Sequence, residues 1–210
     1  MTMKKSLFFF SGFVCAVVAV FAFRALQVHF SKPSFTPQPI TFQFKPPVTS
    51  QALNVLQVKD DVTKIPLEAT EAAQLKQGDQ ILVGEPITTG LTGQTTLQLD
   101  SALTTTISTN TVLTFTSTAA QSMMAKQDQG TVTYQLQGEQ PFSLRTLHFL
   151  VELKSGTMSI TTDPEKSTAV VLLKGGTARV AWEDKDLNSK VETLTVGKKV
   201  ILDDNTRTLK

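Results

Sequence analysis

The chain has 210 residues, 18% of them charged and 40% hydrophobic, a balance that is typical of a folded domain and excludes wholesale disorder. That length allows one domain of roughly 100 to 200 residues together with anchoring and linking segments. From Ser50 onward the chain carries 15 Lys and Arg against 18 Asp and Glu, a net charge of −3, so it lacks the positive field that attracts nucleic acid.

The first predicted element is a membrane-spanning helix at residues 7–23. These residues carry no charge and lie between Lys5 and Arg24. As a helix they would measure about 26 Å, near the lower end of what crosses a bilayer. A cleaved signal peptide is the alternative, with Val20-Phe21-Ala22 as its cleavage site. Both interpretations export the rest of the chain.

The positive charges flanking this helix are almost balanced, so they do not decide its orientation. Lys4 and Lys5 precede it, and Arg24 and Lys32 follow it. We expect residues 1–6 to be a short cytoplasmic tail, because a long C-terminal domain is exported with little regard to its charge. The prediction is a single-pass protein of the inner cell membrane, or a secreted protein if the leading segment is cleaved.

Cys15 is the only cysteine, and it lies inside the predicted helix. The exported part therefore has no thiol for a disulfide or a zinc site. Phe13 and Val14 before it do not resemble a lipidation site, which needs a small preceding residue.

A proline-rich stalk is predicted at residues 24–49. Its prolines are Pro33, Pro37, Pro39, Pro46 and Pro47. They prevent regular helix and favour an extended path away from the membrane. Phe42 and Phe44 alternate in the manner of a strand, so part of the stalk is a candidate for packing against the domain.

Residues 50–210 are predicted to form one all-β domain. Apolar residues alternate with polar ones at period two, the pattern of half-buried strands. The predicted inward residues are Leu97 and Leu99; Leu103, Thr105 and Ile107; Val132, Tyr134 and Leu136; Leu147, Phe149, Val151 and Leu153; Met158 and Ile160; Ala178, Val180 and Trp182. Turns are predicted at Gly90, Gly93, Gly130, Gly138, Gly156, Gly175 with Gly176, and Gly197. Such spacing predicts an antiparallel sandwich, a roll or a short solenoid.

One segment differs from this pattern. Residues 67–79 contain good helix formers and end near Gly78, where a helix would stop. The segment is interpreted either as one short helix or as a loop that delivers Leu75 to the core.

Seven blocks of the β domain follow one another in a definite order. They are LKQGDQILVGEPITTG from Leu75, TTLQLDSALTTTISTNTVLTF from Thr95, GTVTYQL from Gly130, PFSLRT from Pro141, SGTMSITTD from Ser155, STAVVLLKGGTARV from Ser167 and LTVGKKVIL from Leu194. Together they resemble the FecR-like extracytoplasmic domain of bacterial ferric-dicitrate sensor proteins. Two positions depart from that pattern: Ser101 replaces a turn glycine, and Gly175-Gly176-Thr177 replaces an acidic-Gly turn.

The resemblance implies an extracytoplasmic domain that senses or binds another protein. Regulators of that family join this domain to a cytoplasmic portion that contacts a sigma factor. Here only residues 1–6 are expected on the cytoplasmic side, and so short a segment cannot form a domain. We therefore expect the chain to present a binding surface, or to report through another membrane protein, without regulating transcription directly.

Neither histidine is predicted to bind metal or to catalyse a reaction. His148 is placed on the polar face of a strand and His29 beside the membrane, and neither has a Cys or another His nearby. The chain lacks a G-x-S-x-G elbow, so a Ser-His-Asp arrangement would have to use His148. It also lacks a glycine-rich nucleotide loop, which excludes nucleotide cofactors.

An acidic loop has the opening spacing of a calcium site. Asp184, Asp186 and Asn188 alternate as calcium ligands do, but Ser189 and Thr195 stand where glycine and glutamate are required. A polar hairpin turn is the favoured interpretation of this segment.

Two further features are interpreted as structural. Trp182 continues the inward face of its strand, which favours a core role over ligand stacking. The threonines Thr104, Thr106, Thr114, Thr116 and Thr118 are interpreted as solvated strand residues, with a flat face for water or sugar as the alternative.

We assign no catalytic, cofactor-binding or metal-binding residue, and we expect no cofactor. The function predicted is a non-enzymatic sensing or protein-interaction module of the bacterial envelope, with a protein partner there. The alternative is a structural or adhesive surface protein that binds wall polymer or carbohydrate. A hydrolase dependent on His148 is a third hypothesis.

Overall fold

The computed structural model describes residues 50–119 and 121–210, and this part of the chain is all-β, as predicted. Its strands are β1 (Leu53–Lys59), β2 (Val62–Lys64), β3 (Ala73–Gln74), β4 (Gln80–Ile81), β5 (Pro86–Thr89), β6 (Gln94–Leu99), β7 (Leu103–Ile107), β8 (Val112–Ala119), β9 (Ser122–Leu136), β10 (Phe142–Thr146), β11 (Phe149–Asp163), β12 (Thr168–Glu183), β13 (Ser189–Thr193), β14 (Lys199–Asp203) and β15 (Thr208–Leu209). Within these two ranges no helix is both long and apolar enough to cross a bilayer. The predicted tail 1–6, helix 7–23 and stalk 24–49 lie outside the described residues.

The strands form one hydrogen-bonded sheet in which three long strands change neighbours halfway along. Each of the strands β9, β11 and β12 contributes one of its halves to a first row of strands, ordered β4-β1-β6-β7-β9-β11-β12-β14-β15. The other half belongs to a second row, ordered β3-β2-β5-β8-β9-β10-β11-β12-β13. Tyr134 of the first row packs on Phe142 of the second, with 4.8 Å between ring centroids. The sheet therefore folds over on itself around a shared core.

One strand pair departs from the predicted antiparallel arrangement. β9 and β10 run parallel, with Phe142 opposite Met123 and Arg145 opposite Lys126. Parallel neighbours normally need a connection of a dozen or more residues. Here residues 137–141 suffice, because β9 bends from the second row into the first before the chain crosses back. The sheet is mixed for this reason.

Three glycine positions that were predicted as turns lie inside long strands instead. Gly130 is within β9, Gly156 within β11, and Gly175 with Gly176 within β12. Gly156 and Gly176 are opposite each other and both have φ +91°, a conformation that side chains disfavour. A Cβ on Gly176 would collide with the carbonyl of Ser155. These glycines bend strands that the sequence pattern alone divides into separate ones.

The remaining predicted turns are confirmed at Gly90, Gly93, Gly138 and Gly197, which all lie between strands.

The predicted inward residues form the core, with two exceptions. Leu97, Val132, Tyr134, Phe149, Val151, Leu153, Met158, Ile160, Ala178 and Val180 are all 0 or 1% exposed. Leu147 and Trp182 are only partly buried and pack at the edge of the core. Thr105 is also fully buried, and its hydroxyl has no hydrogen-bond partner among the described residues. Period-two alternation therefore predicted the core side of the strands well.

The segment 67–79 is a loop with one short strand, so the helix alternative is wrong and the loop alternative is right. Leu75 is 2% exposed, and its amide donates to the carbonyl of Val62 at 2.8 Å. The carboxylate of Asp79 accepts the amide of Lys76, which closes the turn that follows. β3 pairs with β2, so its backbone N–H and C=O groups bond to another strand and not within a helix.

Candidate functional site

An open cleft of about 370 Å³ lies at the end of the second row, beside β13. Its walls come from the β10–β11 turn, the last residues of β12, the first residues of β13 and the β14–β15 turn. His148, Trp182, Val191 and Arg207 represent these four walls. A cleft with apolar, aromatic and cationic walls is suited to recognition of another molecule.

His148 lies in the turn between β10 and β11, so its predicted place on a strand face is wrong. Thr146 and Phe149 pair with each other, which leaves Leu147 and His148 as a two-residue hairpin loop. Leu147 adopts φ +50°, although leucine has no intrinsic preference for this conformation. Its side chain is half-buried against the core, which explains how the turn is stabilised.

The same turn is joined to the β14–β15 turn by His148 and Asp204. The Nδ1 atom of His148 lies 2.8 and 2.9 Å from the two carboxylate oxygens of Asp204. The His148 amide also donates to this carboxylate, at 3.3 Å. A carboxylate that holds an imidazole is one part of a catalytic triad. Ser189 lines the same cleft, but among the described residues no hydrogen bond joins its hydroxyl to His148.

The apolar part of the cleft is built from both faces of its strands. Phe149 and Trp182 are neighbours on the inward face, with ring centroids 6.4 Å apart. On the outer face Leu150, Ala181 and Val191 are directly opposite one another across β11, β12 and β13. Leu150 is 41% and Val191 62% exposed. Trp182 thus has a partial core role, as predicted, and also forms part of the cleft wall.

Cations outnumber anions in the cleft, although the domain as a whole is acidic. Arg145, Lys190 and Arg207 line it, and Glu183 is the carboxylate among the lining residues. Within the described part of the chain no ion pair engages Arg145 or Arg207. Unpaired guanidinium groups beside apolar surface favour an anionic or acidic ligand.

The acidic loop predicted as a polar hairpin connects β12 to β13. The Asp184 carboxylate accepts the amides of Asn188 and Asp186, at 2.9 and 3.0 Å. The hydrogen bond from the Asn188 backbone is the main reason that the pKa of Asp184 is lowered. In residues 50–119 and 121–210 no group of three or more His, Cys, Asp or Glu side chains is arranged to hold a metal ion. The Asp184 oxygens serve to stabilise the turn.

β13 forms one edge of the second row. Among the described strands it pairs only with β12, and all five of its residues are exposed. The hydrogen bonds at its two ends show which residues face β12: the Leu194 amide donates to the carbonyl of Ala178 at 2.9 Å, and the Asp184 amide donates to the carbonyl of Asn188 at 3.0 Å. Ser189, Val191 and Thr193 therefore direct their backbone N–H and C=O groups away from β12. This edge was not predicted, because charged residues replace the apolar alternation.

The five threonines that were singled out do not share one surface. Thr104 and Thr106 lie on the outer face of β7, where Thr106 is opposite Thr133 of β9. Thr118 is fully buried and donates its hydroxyl to the carbonyl of Gln51. A register shift between Phe115 and Ser117 turns this part of β8 inward. The interpretation as solvated strand residues holds for Thr104 and Thr106 but is wrong for Thr118. The other histidine considered in the sequence, His29, lies outside the described residues.

Comparison with known proteins shows the fold but no family. No family model matches the chain, and no curated protein matches it. Two crystal structures of a "putative anti-sigma factor" from Parabacteroides distasonis are similar, each with a TM-score of 0.52. They are 15% and 14% identical to the chain, and the match covers 60% of this chain and 57% of theirs. The chain therefore spans somewhat more than half the length of these structures.

At such low identity the likeness establishes the all-β architecture alone. It agrees with the all-β fold that the FecR-like resemblance implied. Membership of the FecR-like family stays a prediction.

Proposed function

We propose that this chain is a membrane-anchored, non-enzymatic sensing or protein-interaction module of the bacterial envelope. The observation that carries the proposal is the likeness of its β domain to structures described as an anti-sigma factor. The uncharged segment 7–23 serves as the anchor, and the proline-rich segment 24–49 holds the domain away from the membrane.

The cleft beside β13 is the surface that we assign to the partner. Leu150 and Val191 offer exposed apolar area, and Arg145 and Arg207 offer guanidinium groups. Aromatic and arginine side chains are enriched where proteins bind each other. We infer a binding role and not a catalytic one, because these groups recognise a ligand without activating a nucleophile.

The anchor and its orientation are tested by fractionating cells that produce the full chain. We expect the protein to remain in the membrane pellet after alkaline extraction. Protease added to the outside of spheroplasts is expected to digest its β domain. A variant that lacks residues 7–23 is the control and should leave the membrane fraction. Recovery of the intact full chain in the soluble cytosol would contradict the proposal.

The partner is tested with a photo-reactive amino acid placed at Leu150 in the full chain. A single discrete product with another envelope protein supports the interaction module. Glu165, exposed in the β11–β12 turn, is the matched control position and should give no such product. Retention of the protein on purified wall polymer, with no protein product from Leu150, would support the structural or adhesive alternative.

A further inference from the structure

The exposed edge of β13 is complementary to itself. Its sequence, SKVET, has a lysine and a glutamate at equal distances on either side of Val191. When two such strands run antiparallel with Val191 opposite Val191, each Lys190 lies opposite Glu192 of the second copy. Ser189 then lies opposite Thr193. A two-fold axis through Val191 relates all of these pairs.

Backbone geometry permits this register and disfavours a shift by one residue. Ser189, Val191 and Thr193 direct their backbone groups to the open side, as the hydrogen bonds of their neighbours to β12 require. In the register centred on Val191 these three residues of one copy are opposite the same three of the other. Each open donor then meets an open acceptor, which a one-residue shift would prevent.

We propose that β13 is a self-association edge, through which two copies of this chain join their sheets in antiparallel fashion around Val191. This goes beyond the proposed function, which requires only a partner at the cleft. Lys190 and Glu192 occupy non-hydrogen-bonded positions of the new pair, where opposite side chains approach most closely. Lys190 is 3.4 Å from Asp184 in its own chain, so Glu192 of the second copy joins an ion pair that is already exposed.

The side chains on the outer face support the same arrangement. Leu150, Ala181 and Val191 form a row across three strands, and both Leu150 and Val191 are exposed. Pairing places the two Val191 side chains beside each other, so the row continues without interruption into the second copy. Charged side chains, especially lysine, are one means by which natural edge strands avoid such pairing. Here the lysine is matched by a glutamate at the symmetry-related position.

The paired edge is only five residues long, so association in dilute solution is expected to be weak. Tethering both copies to one membrane raises their effective concentration and compensates for the short contact. Self-association is therefore a property of the anchored protein more than of a diluted one.

The register is tested by cysteine cross-linking of the full chain in membranes, in a Cys15→Ser background that removes the only cysteine. The reagent is a thiol cross-linker shorter than the roughly 13 Å that separates residues four positions apart in a strand. Val191→Cys should yield a dimer. Ser189→Cys and Thr193→Cys should each yield none alone, yet should cross-link to each other when the two variants are produced together.

The charges are tested by sedimentation of the full chain in detergent micelles. Lys190→Glu places like charges opposite each other twice per dimer and should weaken dimerisation about tenfold. The double change Lys190→Glu with Glu192→Lys restores opposite charges and should restore the affinity. Lys199→Glu, an exposed reversal on β14, is the matched control and should leave dimerisation unchanged.

Three outcomes would overturn the proposal. They are a protein that stays monomeric in membranes as well as micelles, a Ser189→Cys variant that cross-links to itself, and a Val191→Cys variant that yields no dimer. Each outcome can be distinguished from failure of the proposed function. That function is tested by cell fractionation and by cross-linking from the photo-reactive residue at Leu150.

Discussion

β13 and β14 are both five-residue strands that pair with β12, yet they differ in nearly every physical respect. β14 pairs with residues 168–172 and directs Val200 and Leu202 into the core. β13 pairs with residues 179–183, and its two inward positions hold Lys190 and Glu192. β15 covers the outer edge of β14, while the outer edge of β13 has no neighbour in the described part of the chain. One strand completes the core, and the other forms an exposed edge of the sheet.

The largest expected effect comes from removing a buried side chain of β14. Leu202 is 0% exposed, so Leu202→Ala leaves a cavity and should lower the free energy of unfolding by about 2 to 5 kcal/mol. Glu192→Ala, at the corresponding inward position of β13, should change it by no more than about 0.5 kcal/mol. Urea denaturation followed by tryptophan fluorescence measures both. Equal losses would remove the distinction between the two strands.

The second effect concerns the bend in β12 between the residues that pair with β14 and the residues that pair with β13. Gly176→Ala combines a positive φ with a collision against the Ser155 backbone, and should cost about 3 kcal/mol. Gly175→Ala is the adjacent control, because a Cβ there meets nothing within 4 Å. Its cost should stay below about 1 kcal/mol in the same urea titration. A control as unstable as Gly176→Ala would show that the bend is not the cause.

The third effect tests the outer edges directly. Ile201 and Val191 are the middle residues of β14 and β13, and both are partly exposed. The Ile201 amide donates to the carbonyl of Lys210 at 2.8 Å, so Ile201→Pro should destabilise the fold by about 1 to 3 kcal/mol. Val191→Pro should leave the unfolding midpoint of the monomer nearly unchanged. A large loss at Val191 would mean that its amide is already bonded within the chain.

The smallest effect is electrostatic and lies at the end of β14. The Lys210 side chain is the main cause that lowers the pKa of Asp203 to about 2 from its usual 3.8. A folded-state pKa below the unfolded one favours folding above about pH 4, and this contribution disappears as the pH falls through 2. Lys210→Ala should raise the pKa of Asp203, as measured by NMR titration of its carboxyl carbon. The pKa of Asp163, which Lys166 lowers, should not move.

Period-two alternation predicted the core but not the path of the chain. Tyr134, Val151 and Ile160 are buried as expected, because the pleat alone decides which side of a strand they occupy. Gly130, Gly156 and Gly176 were mistaken for turns, since a glycine with positive φ looks the same in sequence at a bend and at a reversal. The β9–β10 pair was missed because parallel pairing here depends on the bend in β9.

The cleft could not be assembled from sequence for a different reason. His148 and Asp204 are 56 residues apart, and they meet only because two separate turns lie at the same end of the domain. The turn formed by Leu147 and His148 could not be predicted from sequence, because a leucine with φ +50° is stabilised by packing and not by local preference. β13 could not be predicted as a strand, because its inward positions hold charged residues, which are unusual there.

β10 lies between the first halves of β9 and β11 and pairs with both. Beyond β10, the second halves of β9 and β11 pair with each other directly. The hydrogen-bond ladder thus branches here, and β10 is the wedge at the branch point. Arg145 lies near the end of this wedge, where its side chain is exposed and lines the cleft. A one-residue insertion or deletion before Arg145 would turn its side chain toward the core face of β10 and so remove a guanidinium group from the cleft.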